Sequence, residues 1–133
     1  MKKPSYAYFA GMIDGEGSIL LTRHAKNEHR APAISVTSTT IEFLEALKDR
    51  FGGNICKQKV YKAHHKQSWV WKVTHNKAIS LLEKVSPYML DPRKVGRAKL
   101  ILSEYKQVTQ ASGVYNEEEL AVKLDFEKRF REL

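Results

Sequence analysis

The sequence predicts an α+β domain, an antiparallel sheet with helices on one face, in the order αββαββα followed by trailing helices. Three observations predict it. Short β-rich runs come in two pairs, "SILLTRH" with "APAISVTS" and "NICKQKVYK" with "SWVWKVTH". Amphipathic stretches precede, separate and follow the pairs, and Gly, Pro or Asn/Asp signals stand at the joints. At 133 residues the chain fits one domain, residues 1–133, with no internal repeat, low-complexity tract or linker.

Taken in order, Ser5 caps a first helix from Tyr6 to about Asp14, with Tyr6, Phe9 and Ile13 at helical spacing and Ala7, Ala10 and Gly11 close by. Gly15 and Gly17 are expected to end it. The first strand pair is a hairpin whose longish loop holds the polar stretch Lys26 to Arg30. "TTIEFLEALKDRFGG" reads as a core helix: Thr39 with Glu42 as a capping box, Phe43, Leu44, Leu47 and Phe51 as its face, Gly52 as its stop. The second strand pair follows around a His/Lys-rich loop. A helix starting at His75 or Asn76 then turns Ala78, Ile79, Leu82 and Val85 inward and ends before Pro87. Asp91 followed by Pro92 starts a helix through Leu100, Ile101 and Tyr105. Asn116 with Glu119 starts the last helix, with Leu120, Leu124 and Phe130 expected inward.

Composition narrows the partners. Lys and Arg number 23 against 15 Asp and Glu, a formal +8 spread along the chain, which suits a polyanion such as nucleic acid without separating DNA from RNA or anionic lipid. The single cysteine, Cys56, excludes an intrachain disulfide and is expected inward beside Ile55 as a small apolar filler; the five histidines show no structural-zinc spacing. Neither an apolar signal core nor a membrane-spanning run follows the basic start, so a soluble intracellular protein is expected, in cytoplasm or organelle.

Helices on one face leave the other sheet face uncovered. Alternation puts Lys57, Lys59 and Tyr61 outward, opposite Cys56 and Val60, and Lys72 away from Trp71 and Val73. A basic sheet face fits a nucleic-acid groove; the same lysines would also suit a plain solvated surface. Trp69 and Trp71, two apart, read as core aromatics, and His64 and His65 as loop residues near phosphate or solvent.

"FAGMIDGEGSI", Phe9 to Ile19, poses the chemical question. A helix C-terminus carries roughly half a negative charge and unpartnered carbonyls, so Asp14 and Glu16 are misplaced there unless a cation joins them. Glu16 is either a turn acid or, beside free carbonyls, a hard-oxygen ligand suited to Mg²⁺ or Ca²⁺. Asp14 could share that site or bond backbone donors and hold the bend.

Phe9 to Gly17 resembles the LAGLIDADG motif of homing endonucleases, with Gly-Glu in place of Ala-Asp near its end. Ser18 and its strand, "VTSTT" at Val36 to Thr40, and "SPYMLDPRK" at Ser86 to Lys94 extend the likeness over most of residues 5 to 105. The resemblance implies a homodimeric site-specific double-strand DNA endonuclease acting on a palindromic or near-palindromic target by metal-dependent phosphodiester hydrolysis. Motif helices of two copies would pack together through small residues, here Ala7, Ala10, Gly11 and Gly15, with Asp14 also at the interface. It implies Glu16 and the Gly15 carbonyl as metal ligands and Mg²⁺ as cofactor, with Ca²⁺ binding but not supporting cleavage. Lys94, or Arg93 one residue away, would be the basic residue near the active-site water network. Ser38 falls where some relatives have a water-pocket glutamine; helix capping is its alternative. Base or phosphate contacts are expected from Thr22, His24, Ser35, Lys57, Lys59 and Lys72. The competing reading is a non-cleaving nucleic-acid-binding protein of the same fold, an RNA maturase or DNA-binding regulator. An acid retained at Glu16 favours the nuclease, because it would repel phosphate unless metal were bound.

Overall fold

A computed structural model describes residues 3–60 and 66–133. Expectations for Tyr61, His64 and His65 lie outside the described residues. The chain forms helix α1 (Tyr6–Glu16), strands β1 (Gly17–Thr22) and β2 (Ala31–Ser38), α2 (Ile41–Phe51), β3 (Asn54–Lys57), β4 (Trp69–Thr74) and α3 (His75–Val85). A 3₁₀ turn, Ser86–Tyr88, leads to α4 (Pro92–Val108) and α5 (Glu117–Arg131). The predicted αββαββα order with trailing helices is the one observed. All strand pairs are antiparallel, in spatial order β1-β2-β4-β3.

The Ser5 hydroxyl caps α1 by accepting from the Tyr8 N–H. The helix passes through Gly15 and stops at Gly17, which is extended. A Cβ on Gly17 would lie 2.8 Å from Ile13 Cα, so this residue lets the helix turn back directly into β1. At the far end of α2, Gly52 and Gly53 have φ of +78° and +88°, a region that favours glycine. The Trp71 indole donates to the Gly52 carbonyl at 2.8 Å and fixes that turn against β4.

The helix-side face of the sheet is continuous across three strands. Gly17, Val36 and Trp71 form one row, and Ile19, Ile34 and Val73 the next. Trp71 is the largest fully buried side chain, and Phe9, Ile13, Leu44, Leu47, Leu82 and Ile101 close the core over it. Trp69 packs partly buried at the core's edge, as expected of a core aromatic.

Three local expectations differ from the structure. Thr40, not Thr39, is the α2 N-cap; the Thr39–Glu42 box does not form, and the Ser38 hydroxyl accepts the Thr40 N–H at 3.0 Å instead. Phe43 is consequently rotated outward and exposed, while Leu44 and Leu47 are buried. On α5 the Asn116–Glu119 box is present, but Lys123, Phe126, Glu127 and Phe130 form the buried side, and Leu120 and Leu124 face out. Those four fall at i, i+3, i+4 and i+7, so a helix stripe forms, with two charged members that a purely apolar pattern overlooks. Lys123 is tolerable inside because its ammonium donates to Thr109 Oγ1 at 2.6 Å and lies 4.4 Å from the Tyr105 ring centroid.

Candidate active site and nucleic-acid face

The α1 terminus is held by α4, with bonds in both directions. Asp14 accepts from the backbone N–H of Leu90 at 2.8 Å and of Asp91 at 3.2 Å. Asp91 caps α4 by accepting from the N–H groups of Arg93 and Lys94. Lys94 sends its ammonium back to the carbonyls of Ile13 at 3.0 Å and Asp14 at 2.6 Å. Arg97, one turn on, donates to the Ile19 carbonyl at 3.0 Å. The negative helix end thus meets a cation from its own chain, which answers the charge problem at Asp14 without a metal. Arg93 points elsewhere, donating from Nε to the Leu133 carbonyl.

Glu16 stands apart from this clamp. It is exposed, and no ion pair involves it among the described residues. It lines an open concavity of about 490 Å³ with Gly15, Ser38, Gly11 and Tyr8. The structure therefore brings Glu16, Gly15 and Ser38 together around one concavity, whereas Lys94 is not among its lining residues and bonds the Ile13 and Asp14 carbonyls of α1. Ser38 is largely buried, its hydroxyl already accepting from Thr40.

The outer face of α1 is bare. A Cβ on Gly11 or Gly15 would meet nothing within 4 Å among the described residues. Ala7 is exposed beside them, and Tyr8 and Phe43 add 48% and 42% exposed aromatic surface. Ala10, expected on this stripe, is fully buried with Phe9 and Ile13; at 100° per residue it belongs to the core side. Asp14 is half-buried in the clamp to α4.

On the free sheet face one row crosses all four strands: Ser18, Ser35, Lys72 and Asn54. Flanking rows are Leu20, Ala33 and Thr74 on one side and Thr37, Val70 and Cys56 on the other. Thr22, Ser35 and Lys72 lie where expected, and His24 is exposed in the β1–β2 loop. Lys57 does not: it pairs with Trp69 on the helix side, and Cys56, expected inward, is exposed on the free face. The pairing of Ile55 with Trp71 sets this parity, because Ile55 packs against the core and its neighbours must alternate away. Lys59 lies beyond the end of β3 and is exposed. The face is thus hydroxyl-rich with one central lysine. Period-two alternation counted from Gly17 and Ala31 would have found Ser18 and Thr37.

A metal requirement can be set against the donors present. No group of three or more His, Cys, Asp or Glu gathers to hold an ion among the described residues. Glu16 and the Gly15 carbonyl are hard-oxygen donors, and a largely hydrated Mg²⁺ needs only one or two carboxylates plus phosphate oxygens. The set fits part of such a site, with further oxygens coming from outside the single chain.

The fold is that of the homing endonucleases. I-CvuI, solved with its DNA target, is 18% identical, with a TM-score of 0.71 over 95% of this chain and 79% of that one. I-TnaI gives 0.64 at 19% identity over 96% and 88%, and the archaeal intron-encoded I-Vdi141I, complexed with DNA, 0.62 at 20% over 96% and 82%. The LAGLIDADG homing endonuclease I-SmaMI, bound to cleaved DNA, matches at 0.56 and 21% identity over 91% of this chain but 48% of that one. No protein-family model and no curated protein matches the sequence.

Proposed function

We propose that two copies of this chain form a site-specific, Mg²⁺-dependent DNA endonuclease that cuts a palindromic or near-palindromic duplex, one phosphodiester per strand. The observation that carries the reading is the exposed Glu16 at the foot of a helix whose outer stripe, Ala7, Gly11 and Gly15, is left without a packing partner. Small residues permit close helix approach, and a two-fold axis along that stripe would bring the two Glu16 carboxylates together. The matched part of I-SmaMI is under half of its chain, a length that accommodates two such units and supports the two-copy reading.

In this assembly each Glu16 would offer carboxylate oxygens and each Gly15 a carbonyl to a Mg²⁺ ion. Magnesium, when bound, supplies Lewis-acid neutralisation of the phosphate and a more acidic water. Lys94 fixes the last turn of α1 and so holds the acid at a set height above the sheet. Ser38 lines the same concavity as Glu16 and Gly15. Lys72 gives the sheet face a phosphate or base contact, while Ser18, Ser35 and Asn54 offer donors and acceptors to base edges. No covalent nucleophile is needed.

Selection of cleaved sites from a randomised duplex library, with Mg²⁺ and in parallel with Ca²⁺, tests the reading. Symmetric sites cut on both strands with Mg²⁺ and bound but uncut with Ca²⁺ are expected. Asymmetric nicking, or no cleavage under Mg²⁺ by a protein that binds duplex, would overturn it.

A further inference from the structure

We infer that helix α5 and the segment leading into it position the β1–β2 loop so that it reads the outer flanks of the DNA target; this rests on the proposed DNA-binding reading. The loop, residues 23–30, holds its own turn: Arg23 Nη1 donates to the Lys26 carbonyl, the His24 N–H to Glu28 Oε2, and the Glu28 N–H to the Ala25 carbonyl. Arg23, Lys26 and Arg30 make it basic against the single acid Glu28.

The base of the loop is tied to the C-terminal part of the chain at two adjacent residues. Arg30 Nε lies 3.8 Å from Glu127 Oε1, and its Nη1 donates to the Leu21 carbonyl. Glu127 is buried on α5, where an acid needs a cationic partner, so the tie is not an incidental surface pair. The His29 ring lies 4.3 Å, centroid to centroid, from the Tyr115 ring, and the Tyr115 hydroxyl accepts the Gln110 N–H at 3.0 Å. Two tethers and an internal turn leave the loop few ways to move.

The location gives this restraint a purpose. β1 begins at Gly17, next to Glu16, and ends at Thr22, so the loop starts about 20 Å along the strand from the acid. On a duplex running along that strand this is about six base pairs from the cleavage centre. Glu127 and Tyr115 are therefore positioning residues: they act on flank recognition through the loop and leave the centre alone.

The test compares wild type, Glu127→Gln, Tyr115→Leu and Tyr115→Phe in two measurements. Amide hydrogen exchange of the free protein should speed up in residues 23–30 for the Gln and Leu variants, with other segments unchanged, while Tyr115→Phe, which keeps the ring, stays near wild type. Site selection from a randomised duplex library should then show discrimination falling about five-fold at positions about six pairs or more from the centre, and unchanged at the central pairs. Folded variants with unaltered loop exchange, or with selectivity lost equally at all positions, would overturn the inference while leaving the endonuclease reading intact. A wild-type protein that binds no duplex would overturn both.

Discussion

Gly11→Leu separates the stability of one chain from the association of two. Gly11 sits mid-helix and exposed on α1, and a Cβ there meets no atom within 4 Å among the described residues. Replacing a helical glycine with a good helix former is worth about 0.8–1 kcal/mol, so the isolated chain should become more stable by about that amount. In a two-fold assembly the same stripe faces itself and the leucine enters twice. At about 1–3 kcal/mol per overpacked side chain, association should weaken by about 2–6 kcal/mol, roughly thirty-fold to twenty-thousand-fold. Urea unfolding at concentrations below the dissociation constant reads the first quantity; sedimentation equilibrium over a dilution series reads the second. A variant that assembles as tightly as wild type would refute the placement of the dyad on this stripe.

Other expectations are narrower. Glu16→Gln should abolish Mg²⁺-dependent cleavage while leaving duplex affinity in Ca²⁺ close to wild type; continued cutting would remove this acid from the proposed mechanism. Gly17→Ala places a Cβ 2.8–2.9 Å from Ile13 Cα, Cγ2 and O and should lower unfolding free energy by about 1–3 kcal/mol, with an unchanged urea midpoint the contrary result. Burial holds the Lys123 ammonium below its usual value of 10.5. Between that lowered value and 10.5 the unfolded chain binds a proton that the folded chain has released, so stability from this group rises with pH through the window. Lys123→Met removes that rise: urea unfolding at pH 7 to 10 should show wild type gaining on the variant, and parallel profiles would contradict it.

Much of the scaffold was legible because periodicity and punctuation agree. β2 spans the quoted "APAISVTS" without error, and the Asp91–Pro92 and Asn116–Glu119 signals mark the starts of α4 and α5. Errors arose where a tertiary contact decides between equal local options. Lys57 and Cys56 exchange faces because Ile55 lies opposite Trp71, a pairing across an intervening loop that no window around β3 reveals. Ala10 goes to the core because helical geometry sets it on the same side as Phe9 and Ile13, leaving the stripe to Ala7, Gly11 and Gly15. Glu16 was visible as an oddity of charge, yet the cation that relieves the helix end is Lys94, 80 residues from the Asp14 carbonyl it meets. Sequence spacing carries no trace of that meeting.

The reciprocal fastening of α1 and α4 bears on how the chain can be shortened. A fragment ending at the 3₁₀ turn would retain all four strands and the whole motif, but would lack the Leu90 and Asp91 amides and the Lys94 ammonium that secure the last turn of α1. Its first helix would be free to fray from the C-terminal end, carrying Glu16 with it. The smallest unit able to hold that acid in place must therefore include the fourth helix, whose Ala98 and Ile101 are buried in the core, and minimal versions of the domain should not end at the sheet's edge.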